Sequence, residues 1–143
     1  MTDITFSIAI DINATKEQVW DALVNPDKIE KYLFGTITDS TFKVGDAIIF
    51  TGNYEGHSYR DIGKVLKADC CKTFEYSYLA QFSGLEDLPE NYQTISYQIV
   101  SESEDVQKLT ITQSNIHTEE AKEHSAAGWK MVMETLKTVA EEK

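Results

Sequence analysis

A chain of 143 residues with 41% hydrophobic and 26% charged residues can bury one core without disulfide or metal staples. Its net charge of −11, with no basic cluster to offset it, opposes nucleic acid and anionic membrane surfaces. No apolar run approaches the roughly eighteen residues of a membrane span, and the first residues lack the basic and apolar regions of a secretory signal, so a cytoplasmic single domain over residues 1–143 is expected.

Ile4, Phe6, Ile8, Ile10 and Ile12 alternate with smaller or polar residues, which predicts a strand with one buried face. Thr15 and Gln18 have the spacing of a capping box, and Val19, Trp20, Leu23 and Val24 follow at helical spacing. Asn25-Pro26 ends that helix and opens a second, short one from Asp27 to about Lys31, because proline suits a first turn and disfavours helix in the residue before it. Tyr32-Leu33-Phe34-Gly35 closes the pair. Strands and tight turns come next. Thr36 to Ser40 is a weak strand. After a turn at Val44-Gly45-Asp46, Ile48, Phe50 and Tyr54 alternate, with Gly52 on their face bending the strand or leaving room for an approaching group. Glu55-Gly56 turns the chain into a strand over 59–68, whose apolar residues lie on both faces (Ile62 and Leu66 against Tyr59 and Val65), so its inward side stays open. Phe74, Tyr76 and Tyr78 alternate, a polar loop spans Gln81 to Asn91, and Ile95, Tyr97 and Ile99 are followed after Glu104-Asp105 by Leu109, Ile111 and Gln113. Connections this short force antiparallel neighbours.

The last stretch, Thr118 to Lys143, organises the rest. Ala121, Ser125, Gly128, Trp129, Val132, Met133, Leu136, Val139 and Ala140 draw one face on a 3.6-residue period. Thr118 is a cap, and Glu119 and Glu120 suit the positive end of the helix dipole. Such a helix is about 36 Å long, comparable with the roughly 30 Å of a nine-residue strand. The expected α+β fold is a curved antiparallel sheet of about six or seven strands around a long C-terminal helix, with two short helices between strands one and two. Gly128 is expected to let a strand approach the helix closely, and Trp129 to lie inside the curl, covered by Phe50 or Tyr97.

The chemistry-bearing residues are few. His117 and His124 are seven apart, with Glu120 and Glu123 nearby, but ligand pairs on a helix usually stand four apart; a solvated first turn is the stronger reading, and no metal or cofactor is expected. Adjacent Cys70 and Cys71 are expected as free thiols. Asp61, if it faces inward, would be a buried carboxylate and a candidate general base; if outward, an ordinary sheet-edge residue. No catalytic residue is singled out. The aromatic residues carry more: Tyr32, Phe34, Phe50, Tyr54, Phe74, Tyr76, Tyr78 and Tyr97, with Trp129, Met133 and Leu136 opposite, form the candidate ligand-binding set. Each buried tyrosine hydroxyl needs a partner. A packed core with tyrosines at its wet rim and an apolar cavity account for this pattern equally.

Ala14-Thr15-Lys16-Glu17-Gln18-Val19-Trp20-Asp21-Ala22-Leu23, then Asn25-Pro26-Asp27-Lys28-Ile29, resembles the opening of the START-like (SRPBCC, Bet v 1-type) superfamily, in the branch named after the activator of the heat-shock protein 90 ATPase. Val44-Gly45-Asp46-Ala47-Ile48-Ile49-Phe50, Gly63-Lys64-Val65 with Phe74-Glu75-Tyr76-Ser77-Tyr78, and Gly128-Trp129 followed by Leu136 resemble its later motifs in order and spacing. The chain departs at Tyr32, where the family usually has tryptophan, and at Asp69-Cys70, where it often has Asp-Pro. The resemblance implies the helix-grip fold and, often, a cavity between sheet and helix for an apolar molecule. The expectation is a binding protein for a small hydrophobic or aromatic, or lipid-like, ligand, monomeric or a weak homodimer. The alternatives are a co-chaperone-like module acting on a heat-shock ATPase and an enzyme of the cyclase or dehydratase type in the same cavity.

Overall fold

The computed structural model describes residues 4–142, apart from the side chains of Tyr54 and Phe82. Strand β1 (Ile4–Ile12) turns Phe6 and Ile12 into the core and Ser7 outward, where its hydroxyl meets Thr112 at 2.9 Å. Helix α1 (Lys16–Val24) starts from the complete capping box: the Gln18 amide donates to Thr15 Oγ1 at 3.2 Å, and the Thr15 amide donates to Gln18 Oε1 at 2.9 Å. Asn25 then ends α1 and caps helix α2 (Pro26–Tyr32), with Pro26 in its first turn. These two helices carry the chain from one edge of the sheet to the other. Strands β2 (Ile37–Ser40), β3 (Ala47–Tyr54), β4 (His57–Asp69), β5 (Thr73–Tyr78), β6 (Gln93–Ser103) and β7 (Val106–Ile116) complete a seven-stranded sheet in the order β1-β7-β6-β5-β4-β3-β2. Every pairing is antiparallel.

Helix α3 (Glu119–Glu141) is capped by Thr118, whose Oγ1 accepts from the Ala121 amide at 3.0 Å. Its C-terminal half is the gripped part. Val132, Met133, Leu136, Val139 and Ala140 are buried, and the helix lies principally along β1, α1 and α2. Polar contacts lock that end. Lys137 Nζ donates to the Asp11 carbonyl at 2.9 Å and to Glu141 at 2.6 Å, and Glu141 also accepts the Asn13 amide at 2.8 Å. These donors, Lys137 first, hold the Glu141 carboxyl below its ordinary value. Among the described residues no helix is long and apolar enough to cross a membrane.

The sheet answers what the alternation left open in β4. Asp61 and Val65 are buried and Tyr59 is half-buried, while Leu66 is exposed, so the Tyr59–Asp61–Val65 side faces the helix. Ile62 is half-buried on the opposite side, which is why apolar residues appear on both sides of the sequence pattern. Gly52 leaves room for a neighbour: a Cβ there would fall 2.4 Å from the Tyr59 hydroxyl oxygen. The expectation for Gly128 fails. A Cβ added there meets nothing within 4 Å, so this glycine admits no strand and borders open space instead. Trp129 is only half-buried, its ring set edge-on to Tyr97 at 6.1 Å.

Urea unfolding should rank three α3 positions by this geometry. Leu136→Ala, at a fully buried site, is expected to cost about 2–5 kcal/mol. Met131→Ala, 61% exposed, should cost less than about 1 kcal/mol. Trp129→Ala should fall between them, because its indole already borders unfilled space. Equal costs at Leu136 and Met131 would contradict the gripped face.

Candidate functional site

Alternation along β5 puts Phe74, Tyr76 and Tyr78 on the inner face, where rings from β3 and β6 meet them. Phe50 lies 5.4 Å from Tyr76 and 6.0 Å from Tyr78, and Phe74 stacks on Tyr97 at 6.1 Å. The hydroxyls are not left dry and alone. The Tyr76 and Tyr97 rings lie 6.5 Å apart deep in the core. Tyr78 donates to Asp61 Oδ2 at 2.5 Å. Tyr59 and Thr36 hydroxyls meet at 2.5 Å, with Thr36 donating to the Leu33 carbonyl at 2.8 Å. The Trp129 indole N–H donates to Gln113 Oε1 at 2.8 Å, and the Gln113 amide donates to Gln93 Oε1 at 2.5 Å.

Above this floor, the N-terminal half of α3 stands away from the sheet and leaves an open cleft of about 500 Å³. Phe50, Tyr76, Tyr78 and Ile95 form its apolar floor; Gly128, Trp129 and Val132 form the wall on α3; Leu33, Phe34 and Ala80 border it. Its polar groups are Thr36, Tyr59, Asp61, Gln113, Ser125 and His124, and Met131 stands at the rim. Phe34 is 62% exposed and sits at φ 53, a left-handed conformation unfavourable for an aromatic residue. Gly35 beside it, at φ 95, takes the next positive angle without penalty.

Among the described residues Asp61 is the one carboxylate lining this cleft. It is 8% exposed and is fixed by two donors, the Tyr78 hydroxyl and the Gln81 amide at 2.9 Å. The Gln81 side chain returns to accept the Arg60 amide at 2.6 Å, so a short 3-10 turn over Gln81–Ser83 locks the carboxylate in place. Burial, then the neighbouring Asp61 charge, pushes the Tyr78 phenol well above its ordinary range. Burial does the same to Tyr32, Tyr76 and Tyr97. Tyr78 and Asp61 both face the open space and are bonded to one another.

The aromatic set expected from sequence divides in two. Phe34, Phe50, Tyr76, Tyr78 and Trp129 come together on the cleft. Tyr32, Phe74, Tyr97, Met133 and Leu136 are buried beneath it in the core and do not line it. The Tyr54 side chain lies outside the described residues. The sequence reading missed Leu33, Thr36, Tyr59, Ala80, Ile95, Gln113, His124, Ser125 and Val132 as cleft residues, and left Asp61 undecided. Gln113 carried a usable signal, a polar residue in phase with buried Leu109 and Ile111. Away from the cleft, Cys70 and Cys71 are free thiols with their sulfurs 3.1 Å apart. His117, Glu120 and Glu123 do not line the cleft, and among the described residues no three His, Cys, Asp or Glu side chains gather as metal ligands.

The family model described as "Activator of Hsp90 ATPase homolog 1-like protein" matches residues 13–141. No curated protein matches the chain. A solution structure from Cytophaga hutchinsonii is similar at 35% identity and a TM-score of 0.81, over 96% of this chain and 94% of that one. An Hsp90 activator from Plasmodium falciparum shares the fold at 18% identity and a TM-score of 0.70, over 88% and 87%. The Aha1 dimer from Colwellia psychrerythraea does so at 22% identity and a TM-score of 0.71, over 96% of each chain.

The tyrosine environments set a stability limit at high pH. A phenol whose folded pKa is raised favours the folded state fully below its ordinary value of 10.0, and that contribution is lost as pH climbs above it. Tyr32, Tyr76, Tyr78 and Tyr97 all have raised values. Alkaline difference spectroscopy should therefore find these four silent near pH 10.0, ionising together when the protein unfolds. Full ionisation of all seven tyrosines in the folded protein would contradict their burial.

Proposed function

The chain belongs to the Activator of Hsp90 ATPase homolog 1-like family, and on that premise we propose that it is a binding protein whose cleft takes a small hydrophobic or aromatic molecule. The observation that carries this reading is the cleft itself, about 500 Å³ of mainly apolar space with a few fixed polar groups. That size and lining fall in the range of small-molecule sites, about 300–1,000 Å³. Two features of the mouth support it. Gly128 withholds a side chain where one would fit without collision, at a helix cost of about 1 kcal/mol against alanine. Phe34 holds a large apolar ring at the entrance in an unfavourable backbone conformation. Neither feature improves stability, and both shape the opening.

A second reading is an interaction module for a chaperone ATPase in the cytoplasm. It draws on the family description and on the structural relative named as an Hsp90 activator. The fold likeness at 18% identity carries no interface residue across.

Titration with the neutral fluorescent dye N-phenyl-naphthylamine separates the two. One saturable site is expected. Gly128→Leu, which places a side chain in the mouth, should weaken that site by about tenfold or more while leaving the unfolding midpoint unchanged or higher. Phe34→Asn, which suits the left-handed backbone without the ring, should likewise weaken binding without loss of stability. Absence of dye binding, or equal binding by Gly128→Leu, removes the cleft reading. Stimulation of a purified chaperone ATPase by the same protein would then support the second.

A further inference from the structure

Within the cleft, and resting on the ligand-binding reading above, we infer that the molecule bound carries a protonated amine on its apolar body, with Asp61 as the partner of that amine. The geometry is specific to this residue. Asp61 lines the cleft on β4, paired across the sheet with Phe50, and its surroundings are otherwise aromatic. Two donors hold it, one per oxygen: the Tyr78 hydroxyl on Oδ2 and the Gln81 amide on Oδ1. A carboxylate has about four acceptor sites, so these two orient it and leave capacity on both oxygens.

Among the described residues Asp61 forms no ion pair. The ion pairs among the described residues are Lys28–Asp21, Lys31–Glu142 and Lys137–Glu141, none of them at the cleft. Arg60 and Lys64 stand beside it in sequence, but both are exposed. A buried carboxylate is ordinarily paired, since burial of an uncompensated charge is costly. Among the described residues no ion-pair partner meets Asp61, and space for one is present.

The other cleft groups agree. An ammonium entering beside Asp61 would lie among the rings of Phe50, Tyr76 and Tyr78, whose faces attract cations. The net charge of −11 draws cations toward the mouth and repels carboxylates and phosphates. His124, the basic side chain lining the cleft, is exposed at its rim and is not placed to hold an anionic head at the floor.

Three probes with one phenyl-and-butyl body test this: phenylbutylamine, phenylbutanol and phenylbutanoate, each titrated by calorimetry. The ammonium should bind at least about tenfold more tightly than the alcohol, and the carboxylate most weakly. The preference should persist in about 1 M salt, where the Debye length of about 3 Å removes long-range steering. Asp61→Asn should bring the ammonium down to the alcohol while the alcohol stays within about threefold of its wild-type affinity. Tyr78→Phe, which keeps the carboxylate, should retain the preference and serves if Asp61→Asn does not fold. Equal binding of ammonium and alcohol, tighter binding of the carboxylate, or a preference that vanishes in salt overturns the assignment to Asp61 while the apolar cleft stands. Failure of all three probes, with dye binding also absent, takes down the ligand-binding reading itself.

Discussion

Helix α3, even with α1 and α2 beside it, is too narrow to cover the inner face of seven strands. A helix with its side chains is about 10–12 Å across, whereas neighbouring strands are spaced about 4.8 Å. Helix α3 therefore commits its C-terminal half to β1, α1 and α2, where Leu136, Val139 and Ala140 are sealed and Lys137 and Glu141 tie the end to Asp11 and Asn13. The remaining face, over β3 to β6, is built up from below by aromatic side chains. Phe74, Tyr76 and Tyr97 supply the height that a second helix would otherwise supply. Where even they do not reach α3, at its N-terminal half, the cleft remains.

Using tyrosines for this filling brings hydroxyls into the interior, and each must be satisfied or it costs more than the ring contributes. The structure does so in tiers. Tyr76 and Tyr97 pack together at depth, and Tyr32 lies close enough to raise the cost of ionising Tyr97. Nearer the opening, Tyr78 turns to Asp61, and Tyr59 to Thr36. Gly52 belongs to the same arrangement, since only the absence of its side chain lets the Tyr59 ring cross the strand. The lining of the cleft is thus a consequence of how the core is filled.

Local chemistry was the most legible part of the sequence. The Thr15–Gln18 box, the Asn25-Pro26 boundary, the Thr118 cap and the part of the stripe from Val132 to Ala140 depend on residues within a turn or two of one another, and each formed as read. Alternation also told which residues point inward. It did not tell how far along the helix they stand, so Tyr97 in the core and Tyr76 in the cleft looked alike. Asp61 was undecidable because Ile62 and Leu66 on the outer side of β4 are as apolar as Tyr59 and Val65 on the inner side. Thr36 and His124 were invisible for a different reason. They reach the cleft through the closure of the chain, from a connection after α2 and from the first turns of α3.

Gly128 shows how the same residue admits two physical accounts that only packing separates. A mid-helix glycine costs stability, so some compensation is required. Close approach of a strand is one, and it would leave a Cβ with a collision. Here a Cβ collides with nothing. The compensation is therefore absent from the folded protein by itself. A packing fault would show scattered apolar atoms around such a space. This space has instead a carboxylate fixed by two donors, an indole held by Gln113, and an exposed phenylalanine kept in a left-handed conformation at its entrance. The buried carboxylate and the left-handed phenylalanine are costs in isolation, and they converge with the indole on one volume. That convergence supports the proposal that the volume is a site.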